Sequence, residues 1–273
     1  MTRTVELGHA TPPVCRLGLA TRGNTSLEPT DVRHAIDAGV NYLNWCTYED
    51  GMSRAVGELS PDLRERVFVA AQFYARDADE AQREFDGYLH TLGTEYLDAV
   101  TFYYTERKSE WETALGTGGA MEVLLRAREA GKLRMIGVTS HQRPLAAQIA
   151  AGGRCDLLMI RYNAAHRGAE TEIFPVTEAF KVPVVAYTCL RWGALLETTP
   201  DDPPGFSMPH AREWYRFALA NPAVAVALMA PNGRAELDAD LQLLDDWRVP
   251  TPEEMQILRD HGDRAHQHAG GFP

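Results

Sequence analysis

With 273 residues, 45% of them hydrophobic and 24% charged, the chain has material for a large buried core and none of the polar bias of a disordered polypeptide. A formal charge of −11 and a pI near 5.3 argue against a nucleic-acid backbone or an anionic membrane as the main partner, since either calls for clustered Lys and Arg. Small molecules and proteins remain. Cys15, Cys46, Cys155 and Cys189 are scattered without metal-ligand spacing, MTRTVELGHATPP lacks the apolar core of a signal peptide, and no apolar run reaches the roughly 18 to 20 residues of a membrane span. A reduced, cytoplasmic protein with no membrane anchor is expected.

In chain order, strands are expected at CRLGLAT (15–21), VNYLNW (40–45), RVFVAAQF (66–73), LDAVTFYY (97–104), LRMIGV (133–138), DLLMIRY (156–162), VPVVAYT (182–188) and VAVALMA (224–230). Segments of helical periodicity separate them. TDVRHAIDAG offers Thr30 as a cap and Gly39 as a terminator, and AMEVLLRAREAGK ends in Ala-Gly-Lys. Several strands are apolar at nearly every position, as when both faces are covered. This alternation predicts an α/β fold, a single-domain (β/α)8 barrel over residues 1–273. A doubly wound sheet is the alternative, but no Gly-x-Gly-x-x-Gly turn follows the first strand. TPEEMQILRDHGDRAHQHAGGFP reads as an extra C-terminal helix and tail, with His261, His266 and His268 in a solvated end.

Barrel chemistry sits at the C-terminal strand ends, and here those ends are crowded with polar and aromatic residues. They include Asn44, Trp45, Cys46 and Tyr48, then Gln72 and Tyr74, then Tyr103, Tyr104 and Glu106. Further along come Thr139, Ser140 and His141, Arg161 and His166, Tyr187, Thr188 and Trp192, and finally Asn232 and Arg234. The opposite strand ends are blander, which places a small-molecule site at the mouth.

GVNYLNW, LHTLGTEYLDAV, EAGKLRMIGVTSH, CDLLMIRYN, VVAYTCLRWGALL and LMAPNGRAELDADL, in this order, resemble the aldo-keto reductase family over essentially the whole chain. The resemblance implies a (β/α)8 barrel that binds extended NADPH or NADP without a Rossmann domain and passes hydride to an aldehyde or ketone. It also implies an Asp, Tyr, Lys, His tetrad, in which a phenol with an unperturbed pKa near 10 is tuned to act as general acid. Asn44 stands at the Asp position, Gln72 at the Lys and Tyr103 at the His. Glu49 stands at the Tyr position, with Tyr48 one residue before it. Asp and Lys are lost together, as a buried pair should be, because either alone would leave an uncompensated charge.

On the cofactor side the resemblance places Thr139 and Ser140 at the nicotinamide amide and Tyr187 on its ring. Thr188 and Leu190 fall at the pyrophosphate, and Asn232 and Arg234 at a phosphate on the last helix N-terminus. Trp45, Tyr104, His141, Arg161, His166 and Trp192 are the candidate substrate contacts. Each has a plainer reading: Trp45 and Trp192 as core or lid, Arg161 as the partner of a loop acid, and the histidines as hydrogen-bonded groups rather than metal ligands. Cys46 and Cys189 read as packed thiols. The functional expectation is an NADP(H)-binding oxidoreductase with a diverged mechanism. The alternatives are an inactive barrel serving binding or regulation and a cofactor-independent lyase or isomerase.

Overall fold

Eight parallel strands close into a barrel in the computed structural model of the protein, which describes residues 1–8, 11–21, 26–268 and 270. The chain opens with a hairpin of β1 (Thr4–Val5) and β2 (Val14–Cys15). The barrel strands are β3 (Leu17–Ala20), β4 (Tyr42–Trp45), β5 (Phe68–Phe73), β6 (Leu97–Phe102), β7 (Leu133–Ser140), β8 (Leu157–Arg161), β9 (Val184–Tyr187) and β10 (Val224–Met229). They follow one another in sequence order, and β10 pairs back onto β3. All eight expected runs form strands.

Side chains alternate along each strand, so one set fills the barrel and the other packs under the helices. Tyr42, Phe68, Ala99, Met135, Leu157, Val185 and Val226 form the inner cluster, with the Tyr42 and Phe68 rings stacked at 4.9 Å. Leu7 and Val14 of the hairpin join that cluster and close the N-terminal end. Two-residue strands carry no period to read, which is why the hairpin escapes sequence inspection. Gly137 is needed by the wall itself, since a Cβ there would lie 2.7 Å from the Leu157 carbonyl oxygen. Nearer the start of β6 the fully buried Asp98 accepts from Arg64 (2.9 Å), Arg134 (2.6 Å) and the Val69 N–H (2.9 Å), tying three strands and a helix together.

The first barrel helix, Pro29–Asp37, starts ahead of the expected Thr30 cap. Glu28 is the N-cap, because the fixed φ of Pro29 suits the first helical position, and Asp31 accepts from the Glu28 N–H at 2.9 Å. Gly39 follows the helix end with φ +100°. The C-terminal helix, Pro252–His268, packs on the 3-10 turn Arg191–Leu196 and the helix Ala211–Ala220. Its buried residues, Leu258, His261, Gly262 and Ala265, recur at helical spacing.

That face overturns the expectation of a solvated end for His261, whereas His266 and His268 are exposed as expected. His261 is fully buried, stacked on Phe206 at 5.0 Å, with Nδ1 3.2 Å from Asp202 Oδ1. The His266 ring lies 5.1 Å from that of His166, and His268 meets Asp201 at 2.5 Å. Among the described residues no helix is long and apolar enough to cross a membrane.

Candidate functional site

The C-terminal mouth of the barrel holds a cavity of about 790 Å³, the size of a ligand pocket. Inward-facing residues at successive strand ends line it: Asn44 and Cys46, Gln72, Tyr103, Thr139, Met159, Tyr187 and Leu228. Tyr48, Tyr74, Tyr104, Trp192 and Tyr215 add aromatic walls, and Glu236 and Asp240 add two carboxyls.

The polar network at its floor is uncharged. Gln72 Nε2 donates to Cys46 Sγ at 3.3 Å, Asn44 Nδ2 donates to the same sulfur at 3.7 Å, and Tyr74 Oη donates to Gln72 Oε1 at 3.1 Å. Among the described residues, Asn44 Oδ1, Thr139 Oγ1 and Tyr187 Oη are buried without a hydrogen-bond partner. Each such orphan costs about 1–3 kcal/mol in an otherwise folded protein, a deficit that a bound molecule relieves.

A row of rings runs round one side. Centroids are 5.1 Å apart for Tyr74 and Tyr103, 3.8 Å for Tyr103 and Tyr104, 4.3 Å for Tyr104 and His141, and 5.9 Å for His141 and Tyr187. Burial pushes the Tyr74, Tyr103 and Tyr187 phenols above their ordinary pKa, the reverse of what a tuned proton donor needs. Burial also pushes His141 below the usual imidazole value, against the pull of Glu106 at 3.2 Å. Left-handed backbone gathers at the same mouth: Thr47 (φ 66°), Tyr104 (45°), Thr188 (52°), Arg191 (49°) and Trp192 (58°). Such residues cost roughly 1–3 kcal/mol each and cluster at functional sites.

The structure sorts the residues singled out in the sequence. Tyr48 lines the cavity and is 57% exposed; Glu49 is exposed and does not line it. Asp50 caps the helix Gly51–Gly57 and accepts from Thr21 Oγ1 at 2.7 Å. Trp45 is no substrate contact: at 1% exposure it points outward between two inward residues and meets Tyr88 edge-on at 5.2 Å. Ser140 is likewise out of phase with Thr139, and its Oγ accepts from the Gln142 N–H at 3.1 Å. Ser140, His141, Arg161 and His166 line a separate void of about 10 Å³, room for one water and no substrate.

Thr188, Leu190, Tyr104 and Trp192 do line the main cavity, whereas Asn232 and Arg234 do not. Arg234 Nε donates to Asp31 Oδ1 at 2.8 Å, and Asn232 Oδ1 accepts from the Ser26 N–H at 3.1 Å. Tyr215, Glu236 and Asp240 were not singled out, because they stand on helices rather than at strand ends. The i, i+4 spacing of Glu236 and Asp240 in ELDADL, which puts both on one face, was the available signal. Tyr215 Oη donates to Asp240 Oδ2 at 3.2 Å, and burial pushes the Asp240 carboxyl up to about 7.

A cavity of this kind at the C-terminal mouth of a closed (β/α)8 barrel defines a small-molecule-binding barrel protein. Residues 18–225 match the aldo/keto reductase family, and the chain belongs to it. It is 28% identical over 170 residues to the methylglyoxal reductase YeaE of Escherichia coli, a match covering 60% of this chain and 57% of that protein. The match therefore spans little more than half the length of that relative. Solved structures share the fold. The holo form of the aldo-keto reductase AKR11C1 of Bacillus halodurans superposes with a TM-score of 0.77, 18% identity and 96% coverage of each chain. An aldo-keto reductase of Klebsiella pneumoniae in complex with NADPH gives 0.73, 21% and 92% of each chain. Another, in complex with NADP and acetate, gives 0.77, 22% and 96% of each chain.

Proposed function

We propose that the protein is a nicotinamide-dinucleotide-dependent oxidoreductase that acts on a small carbonyl or alcohol in the barrel mouth without the family's acid–base tetrad. The observation that carries this is the pair of buried oxygens, Asn44 Oδ1 and Thr139 Oγ1, which have no hydrogen-bond partner among the described residues, in a cavity that Tyr187 also lines. A carboxamide offers donors and an acceptor to such a pair, and a planar ring suits an aromatic wall, so these residues fit the nicotinamide end of the group. When bound, that group supplies the hydride. NAD(H) and NADP(H) carry the same nicotinamide and both satisfy this end.

The chain's own contribution is orientation and polarisation. With its pKa raised, Tyr103 keeps its proton through the neutral range and serves as a hydrogen-bond donor to a carbonyl oxygen, while the Tyr74 hydroxyl is held by Gln72 Oε1. Neutral donors polarise a carbonyl less than a tetrad that also delivers a proton; here the proton that completes the alcohol comes from water at the open mouth, so turnover slower than the family's is expected. Titrating the protein with NADH and with NADPH, and following its five tryptophans, tests the reading. Saturable quenching at micromolar concentration supports it; no binding of either at millimolar concentration sinks it.

One observation favours a second reading, a binding barrel without hydride transfer: the tetrad positions hold Asn44, Gln72 and Tyr103, and the raised phenols make poor acids. Saturable binding with no transfer of label from a deuterated cofactor distinguishes it.

A further inference from the structure

On the reading that the mouth cavity takes a small carbonyl, we infer that Cys46 is a nucleophilic thiol that adds to small aldehydes there and holds them as a reversible hemithioacetal. No dinucleotide takes part. Cys46 lines the cavity beside Asn44 and Gln72 and is 7% exposed. Its sulfur receives N–H groups from two amides, Gln72 Nε2 at 3.3 Å and Asn44 Nδ2 at 3.7 Å. A thiol is a weak acceptor and a thiolate a strong one, so donors gathered on a sulfur favour the form that attacks carbon. The Tyr74 hydroxyl, bonded to Gln72 Oε1 at 3.1 Å, keeps the Gln72 N–H turned to the sulfur. Two other buried thiols are held the opposite way. Cys189 lines the same cavity, yet its Sγ donates to the Ala186 carbonyl at 3.6 Å, and Cys155 Sγ donates to that of Leu157 at 3.0 Å. Burial pushes both up to about 12, so they stay protonated.

An independent observation points to what is bound. Asn44 Oδ1 and Thr139 Oγ1, each on a residue only 1% exposed, are buried in this cavity without a hydrogen-bond partner among the described residues. An aldehyde carbonyl has no hydrogen to give to Asn44 Oδ1. Its thiol adduct has one, on a hydroxyl whose carbon is attached to the very sulfur that the Asn44 amide touches. An amide oxygen carries two lone pairs, so this use is compatible with a carboxamide bound at the same atom. In the addition, the sulfur–carbon bond forms from the thiolate pair and the carbonyl π pair passes to oxygen. The proton released by the thiol ends on that oxygen by way of water at the open mouth. No oxidant or reductant is consumed, and the reverse steps release the aldehyde.

Two measurements on the full chain, without dinucleotide, test this. Iodoacetamide labelling of the native protein, mapped by mass spectrometry, should modify Cys46 about tenfold faster than Cys189, and Gln72→Met, which removes the nearer donor, should slow Cys46 severalfold. Carbon NMR with acetaldehyde enriched at its carbonyl carbon should show a hemithioacetal resonance in the native protein and in Cys189→Ser, and none in Cys46→Ser. Labelling of Cys46 no faster than Cys189, no such resonance in the native protein, or a resonance that persists in Cys46→Ser overturns the inference and leaves the nicotinamide reading intact. The labelling comparison is made within the native protein, so it decides even where Cys46→Ser fails to fold. An adduct at Cys46 in a protein that binds neither NADH nor NADPH overturns the nicotinamide reading alone.

Discussion

Gln72 donates its amide Nε2–H to the Cys46 sulfur at 3.3 Å, and the neighbouring Asn44 amide reaches that sulfur at 3.7 Å. Two uncharged amides around a thiol therefore occupy the floor where the family resemblance implies a carboxylate and an ammonium.

The exchange predicts strong coupling between the two sites. Gln72→Lys alone would bury an unpaired ammonium and should lower unfolding free energy by on the order of 3 kcal/mol. Adding Asn44→Asp should return much of that loss, with a coupling of roughly 1–3 kcal/mol. Urea unfolding of the two single variants and the double variant measures the cycle. Additive effects would contradict the neutralised-pair account.

Asp240 makes stability depend on pH near neutrality. Burial raises its folded value to about 7, above the unfolded value of about 3.9, so the protonated form is favoured by folding. The sign follows from linkage: its contribution is fully present below about pH 4 and is lost as pH rises through about 7. Asp240→Asn cannot ionise and should gain steadily on the native protein from about pH 4 to about pH 7 and hold that advantage above it. Thermal unfolding across that window checks it, and parallel curves would count against the buried acid.

Asp202 works in the opposite direction. Burial pushes its carboxyl up, but hydrogen bonds from the Thr199 N–H (2.7 Å), Arg264 (2.7 Å) and His261 outweigh this and hold it at about 2. Its contribution is present above about pH 4 and is lost as pH falls toward 2. Asp202→Asn should therefore lose stability at pH 7 yet nearly match the native protein at pH 2.5. Because Asp202 anchors the C-terminal helix, amide exchange in Pro252–His268 should accelerate in the variant at pH 7.

Gly262 makes the docking of that helix a packing claim. A Cβ there would fall 2.4 Å from the Ala164 carbonyl oxygen, and backbone gives way poorly. Gly262→Ala should cost about 1–3 kcal/mol as overpacking, despite the better helix propensity of Ala. A stabilised Gly262→Ala protein would show that the helix does not seat as described.

The barrel was legible because eight doubly covered strands leave apolar runs of the right length, separated by helical periods. The floor of the site was legible for the same reason. Asn44, Gln72, Tyr103, Thr139 and Tyr187 all lie in phase with an inward-facing row. Trp45 and Ser140 were misplaced by one step of that phase, which strand ends alone do not reveal. Glu236, Asp240 and Tyr215 reach the cavity from helices, and only tertiary packing brings them there. The buried His261 face carries a helical spacing of its own, hidden in a segment dense with charge.

The central claim is hydride transfer at a mouth that lacks the tetrad. The direct measurement incubates the protein with cofactor deuterated at the transferable position and a panel of small aldehydes and ketones, then reads the alcohols by mass spectrometry. The account predicts one deuterium in at least one product, at a rate below that of tetrad-bearing relatives. Cofactor that binds saturably while no product in the panel acquires label would contradict it.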